Sequence, residues 1–116
     1  MEVKIEKLVK GIKCVYIVLF DTGYYYIGST KCFYSRAKNH KASIKYDYKK
    51  FSINTVHSPK SCYIMLLQKS FDYDYVVKLE RDFLIYSNSD IFLLNKSKSI
   101  FRLNKLKEKV CKKKSY

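Results

Sequence analysis

The chain has 116 residues, 47% of them apolar, and a single proline; that is one domain's length, enough for a modest core and too little for two. Its 24 Lys+Arg against 10 Asp+Glu leave a formal charge of +14, a self-repulsion that a polyanionic partner relieves, with nucleic acid ahead of an anionic membrane surface. No stretch approaches the roughly 20 apolar residues of a spanning helix, and Met1 to Lys13 lacks the apolar centre of a secretion signal. An intracellular protein of cytoplasm or nucleus, neither secreted nor membrane-bound, is therefore expected.

In chain order, residues 14 to 20, CVYIVLF, form an apolar run too short for a helix and rich in β-branched and aromatic side chains, which predicts a strand covered on both faces. Asp21, Thr22 and Gly23 follow as a turn, with glycine free to take positive φ, and YYYIG continues as a second strand of a hairpin. A loop of those residues sets Phe20 opposite Tyr24, Val18 opposite Tyr26 and Tyr16 opposite Gly28. Tyr16 and Tyr26 then share a face, and Gly28 leaves space opposite Tyr16. Ser29 or Thr30 is placed to cap a helix from about residue 31 into the forties, on which Arg36 and His40 project from one side.

Residues 46 to 61, with Pro59 and His57, read as an irregular connection. CYIMLL at 62 to 67 reads as a third strand, with a short buried helix as the alternative. Asp72 or Asp74 is placed to cap a second helix ending near Ser87. At about 100° per residue, Val76, Val77, Leu79, Phe83, Leu84 and Tyr86 define one apolar arc of that helix, and Glu80 falls within it. A carboxylate facing a core is costly unless a cation, hydrogen bonds or a metal satisfies it, which makes Glu80 the foremost acidic site candidate. Cys14, Cys32, Cys62 and Cys111 are scattered, without a CxxC pair or a histidine at ligand spacing, and are expected to be buried or idle rather than zinc ligands or disulfides.

Taken together these residues resemble the GIY-YIG endonuclease family. Its first motif corresponds to Cys14-Val15-Tyr16, with Cys14-Val15 in place of Gly-Ile, and its second is intact as Tyr26-Ile27-Gly28. The helix arginine and histidine fall on Arg36 and His40, the metal-binding glutamate on Glu80 in LERDFLI, and the late asparagine on Asn95. The resemblance implies an α+β fold with a small three-stranded antiparallel sheet flanked by helices, and metal-dependent hydrolysis of DNA phosphodiesters. It also implies one domain over 1–116, made of a nuclease-like segment at 12–96 and a basic extension at 97–116.

The chemistry accounts for these residue types. Hydrolysis needs an activated water, stabilisation of added negative charge and help for the leaving oxygen. Arg36 can fork two phosphate oxygens. Glu80 would hold one divalent ion, Mg2+ with Mn2+ as substitute, since magnesium suits a site with a single carboxylate and retained waters. The family assigns Tyr16 as general base, with Tyr26 and His40 arranging the water and its proton path; His40, titrating nearer neutrality, is the alternative base. Gly28, Ser29, Thr30 and Lys31 are expected along the substrate.

Leu103, Leu106 and Val110 recur at helical spacing among the lysines of the extension, which reads either as a DNA-contacting arm or as a solvated helix end. With no zinc finger or helix-turn-helix alongside, target choice would come from DNA shape, a partner protein or weak contacts of the domain itself. The competing function is a catalytically inactive nucleic-acid-binding module of the same fold.

Overall fold

A computed structural model describes residues 1–7, 11–47 and 58–95. The basic extension, His57, Cys111 and most of the 46–61 connection lie outside them. Four strands and two helices follow in the order β1 (Glu2–Ile5), β2 (Cys14–Phe20), β3 (Tyr25–Thr30), α1 (Phe33–Asp47), β4 (Ser61–Lys69) and α2 (Tyr73–Tyr86). They form one sheet in the order β1-β4-β2-β3.

The α+β class agrees with the expectation, but the three-stranded antiparallel sheet does not. A fourth strand, β1, adds to the edge of β4 in parallel, Val3 beside Cys62 and Ile5 beside Ile64. Four residues with only two apolar side chains give too short an alternation to mark a strand, and an edge position needs no more. CYIMLL is a strand and not a helix, running antiparallel to β2. Val15 pairs with Gln68 but Tyr16 with Leu66, so Leu67 is an extra residue bulged out of β4 beside the tyrosine.

The hairpin register is the expected one. Tyr16 lies opposite Gly28 and Val18 opposite Tyr26, the Phe20 N–H donates to the Tyr24 carbonyl at 2.9 Å, and Gly23 takes a φ of 93° in the turn. Because side chains alternate, β2 feeds two cores. Cys14, Tyr16, Val18 and Phe20 pack with Phe33, Ala37 and Ile44 of α1, whereas Val15 packs with Ile27 of β3 and Val76 and Leu84 of α2. The sheet is thus a middle layer with one helix on each face, which is why CVYIVLF has no polar position.

Both helices start by recognisable devices. Asp72 caps α2, its carboxylate accepting the Asp74 N–H at 3.0 Å, and Ser87 closes it. The expected cap of α1 is displaced: Ser29 stays in β3 opposite Val15, and the Thr30 hydroxyl turns the chain by accepting the Cys32 N–H at 3.1 Å. The helix then begins at Phe33. Tyr86 also departs from expectation. It is 90% exposed, so the apolar arc of α2 narrows to buried Val76 and Leu84 with Leu79 and Phe83 beside them.

Residues 90–95 return along the outer edge of β3. The Tyr25 N–H donates to the Phe92 carbonyl at 2.9 Å, and the Leu94 N–H donates to the Tyr25 carbonyl at 2.7 Å. The Tyr25 hydroxyl donates to Asp90 at 2.7 Å, and Tyr24 meets Phe92 edge-on at 5.2 Å between ring centroids. Tyr24 and Tyr25 therefore fasten this segment to the sheet. No helix among the described residues is long and apolar enough to cross a membrane.

Candidate active site

The centre of the site is Tyr16, 2% exposed. Its phenol extends across the sheet over Gly28, where an added Cβ would run into the phenol oxygen and ring. The expected gap opposite Tyr16 is therefore filled by Tyr16 itself. The ring stacks on Phe33 at 6.1 Å and lies 6.5 Å from the tilted ring of Tyr26. Its hydroxyl is 2.7 Å from Nε2 of His40, and His40 also meets Tyr26 edge-on at 5.9 Å.

His40 reaches that position because Phe33, Ala37, His40 and Ile44 fall at successive helical turns and form the inward stripe of α1. Arg36 lies one turn before His40 on the flank of that stripe and is exposed. Glu80 comes from the other helix and is half-buried, yet its charge is near enough to both phenols to disfavour their ionisation. Arg36 acts on the same two phenols in the opposite sense. Arg36 and Glu80 are thus both within electrostatic reach of Tyr16 and Tyr26, and Arg36 is within reach of His40 as well. Arg36 and Glu80 form no ion pair with each other among the described residues.

Burial sets the protonation states. It pushes the Tyr16 hydroxyl well above the ordinary tyrosine range, with Tyr26 and Glu80 adding to the rise and Arg36 opposing it. Tyr26 is raised for the same first reason, with Glu80 next. His40 is pulled down to about 4, first by burial and then by Arg36. Near neutral pH the imidazole is uncharged and the phenol keeps its proton.

The remaining candidates divide. The Asn95 side-chain oxygen accepts the Ile27 N–H at 3.0 Å, and its amide donates to the Ile27 carbonyl at 2.8 Å. That amide continues the edge pairing of β3 between Tyr26 and Gly28, and so it touches backbone rather than the phenol–imidazole pair. Of the expected substrate-binding residues, Gly28 lies beneath Tyr16 and the Thr30 hydroxyl is engaged with Cys32. Ser29 alternates to the same face as Ile27, away from Tyr16. Lys31 is exposed, its ammonium 5.1 Å from the Tyr73 ring centroid.

The cysteines also divide. Cys14 and Cys62 are buried, with thiols raised to about 11 chiefly by burial. Cys32 is not buried in this way: the Ser35 hydroxyl, followed by backbone N–H groups, lowers its thiol to about 7. For a divalent ion, no three His, Cys, Asp or Glu side chains cluster among the described residues. The donor on offer is the lone carboxylate of Glu80, which suits a hard cation completed by water and substrate oxygens.

Two helices on a four-stranded sheet, with a buried phenol in contact with an imidazole, define a small α+β domain. The family model of the GIY-YIG catalytic domain matches residues 12–90, and the chain belongs to that family. At the Cys14-Val15 departure in its first motif the two side chains are fully buried in opposite cores, and Tyr16 lies opposite Gly28. Comparison with curated proteins and with solved structures gives no significant match.

Proposed function

We propose that the chain is a metal-dependent DNA endonuclease. The observation that carries this reading is the 2.7 Å contact between the Tyr16 hydroxyl and Nε2 of His40, flanked by Arg36 and Glu80. In this reading the phenol donates to the neutral imidazole. A water placed against the phenol oxygen by Tyr16 and Tyr26 passes its proton to Tyr16 as Tyr16 passes its own to His40, so the two act as one relay and neither is the base alone. This arrangement removes the difficulty of ionising a buried phenol, since no phenolate has to persist. The relay needs an uncharged acceptor, and burial beside Arg36 holds His40 in that form, at about 4 rather than nearer neutrality as expected for the alternative base.

Arg36, exposed at the rim of the pair, forks the phosphate oxygens as charge builds on them. Glu80 would hold the divalent ion, Mg2+ or Mn2+, which when bound supplies positive charge for the leaving oxygen. Asn95 is a positioning residue: it fixes β3 at Ile27 and thereby the neighbouring Tyr26 and Gly28. DNA is the polyanion that the formal charge of +14 fits.

The test is conversion of supercoiled plasmid to nicked and linear forms in Mg2+ or Mn2+, by the intact protein and by Glu80→Gln and Arg36→Ala. Each variant should lose roughly 100-fold or more in rate, as removal of a charge-stabilising group does, with the fold retained because both side chains reach solvent. Cleavage undiminished in Glu80→Gln would refute the assignment. Salt-sensitive DNA binding with no cleavage in any metal would instead favour the inactive binding module.

A further inference from the structure

Beside Arg36 a cavity of about 340 Å³ opens between the start of α1 and the start of α2. Lys31, Ser35, Arg36 and Asn39 furnish donors on one side, Tyr73 forms the other, and no acid is among the lining residues. The volume is at the small end of ligand clefts. It suits one nucleotide unit and not a stacked base pair.

The Tyr73 ring is seated by packing on the Val15, Ile27 and Val76 core, and one face is marked as accessible to a cation by the Lys31 ammonium 5.1 Å from its centroid. That pair is an exchangeable one. A phosphate would draw the ammonium to itself and uncover an aromatic face at the depth of a base. Because Arg36 lines both this cavity and the candidate active site, the cavity is within reach of the nucleotide next to the phosphate that Arg36 grips, if the nuclease reading on which this inference rests is right.

We propose that the cavity is a subsite for the nucleotide flanking the cut phosphate, taken in its unpaired form, with its phosphate on Lys31 and Asn39 and its base against Tyr73. A nucleotide within a duplex hides its base faces in the stack and cannot reach a recessed ring. The site therefore makes the protein select DNA in which that nucleotide has already left the helix: a bulge, a mismatch or a branch. Phosphate contacts alone would give affinity without this choice.

The experiment measures binding in EDTA, so that it does not depend on cleavage. Fluorescence anisotropy compares a short perfect duplex with the same duplex carrying one bulged nucleotide. The intact protein should prefer the bulged DNA by roughly tenfold, the scale of one base–aromatic stack. Tyr73→Phe should retain that preference and Tyr73→Leu should erase it. Raising salt should weaken both complexes, since each rests on phosphate contacts.

A second readout uses no variant. Cys32 lines the same cavity, and Cys14 and Cys62 are buried, so iodoacetamide labelling of the Cys32 peptide, followed by mass spectrometry, reports occupancy. Saturating bulged DNA should slow labelling severalfold more than saturating perfect duplex. Equal affinity for the two DNAs, or equal labelling of Cys32 under both, overturns the subsite; a preference untouched by Tyr73→Leu but weakened by Lys31→Ala reduces the cavity to a backbone grip and overturns it equally. Discrimination without cleavage would leave the subsite standing and remove the nuclease reading, whereas cleavage without discrimination would do the reverse.

Discussion

Strand β2 builds two unlike interiors from alternate residues. Towards α2 it presents Val15 to Ile27, Val76 and Leu84, a buried cluster of hydrocarbon alone. Towards α1 it presents Tyr16, and there the buried layer contains a phenol in contact with an imidazole. Polar groups in a core are costly unless they satisfy each other, and Tyr16 and His40 do so at 2.7 Å. The consequence is a division of labour. The α2 face holds Glu80 in place by packing, while the α1 face sacrifices some apolar burial to keep two titratable groups neutral and adjacent.

A large departure is expected from Gly28→Ala, which intrudes on the phenol from the neighbouring strand. The added methyl must displace Tyr16 or β3. Overpacking of this kind costs about 1–3 kcal/mol, read by denaturant unfolding, and under the proposed relay cleavage should fall out of proportion to that loss, because the displaced hydroxyl is the one that would take the proton from water. Gly28→Ala with both properties intact would show that Tyr16 does not depend on the bare backbone at Gly28.

Asn95→Ala should act more gently. It removes two hydrogen bonds to Ile27, each contributing about 0.5–1.5 kcal/mol, and loosens the edge of β3 without touching the Tyr16–His40 pair. Hydrogen exchange at the Ile27 amide should accelerate, and the cleavage rate should drop by roughly tenfold, the equivalent of about 1.4 kcal/mol of misplacement. Loss of cleavage as complete as in Arg36→Ala would instead place Asn95 among the reacting groups.

A third effect is in titration. His40 titrates at about 4 in the fold and near 6.5 in an unfolded chain. Between those values the unfolded chain binds a proton that the folded one refuses, so stability falls as pH drops from about 6.5 towards 4. Arg36→Ala should raise the His40 value without restoring it fully, because burial is the larger cause. An NMR titration of the His40 ring follows both.

The legible parts of this molecule were those decided locally. CVYIVLF announced a strand with two covered faces, and Asp21-Thr22-Gly23 announced the turn that fixed Tyr16 opposite Gly28. Glu80 stood out because a carboxylate amid Val76, Leu79, Phe83 and Leu84 contradicts its surroundings. The same reasoning applies to His40 on the stripe Phe33, Ala37, Ile44, and would have shown it to be inward-facing and neutral. Other features depended on tertiary contacts. The β1 strand exists because β4 has an edge to offer, Asn95 finds Ile27 only after the chain returns past Phe92, and the cavity between Lys31 and Tyr73 joins two helix starts forty positions apart in sequence.

The most direct test of the two-interior account pairs Tyr16→Phe with Leu84→Ala, measuring unfolding free energy and the single-turnover nicking rate of the folded protein for each. Tyr16→Phe should cost only about 1 kcal/mol, one hydrogen bond's contribution, while slowing nicking by roughly 100-fold or more through loss of the relay. Leu84→Ala should cost about 2–5 kcal/mol as a cavity in the apolar face and leave the folded protein cutting at nearly its normal rate. Rate and stability falling together in both variants would contradict the separation of the two faces.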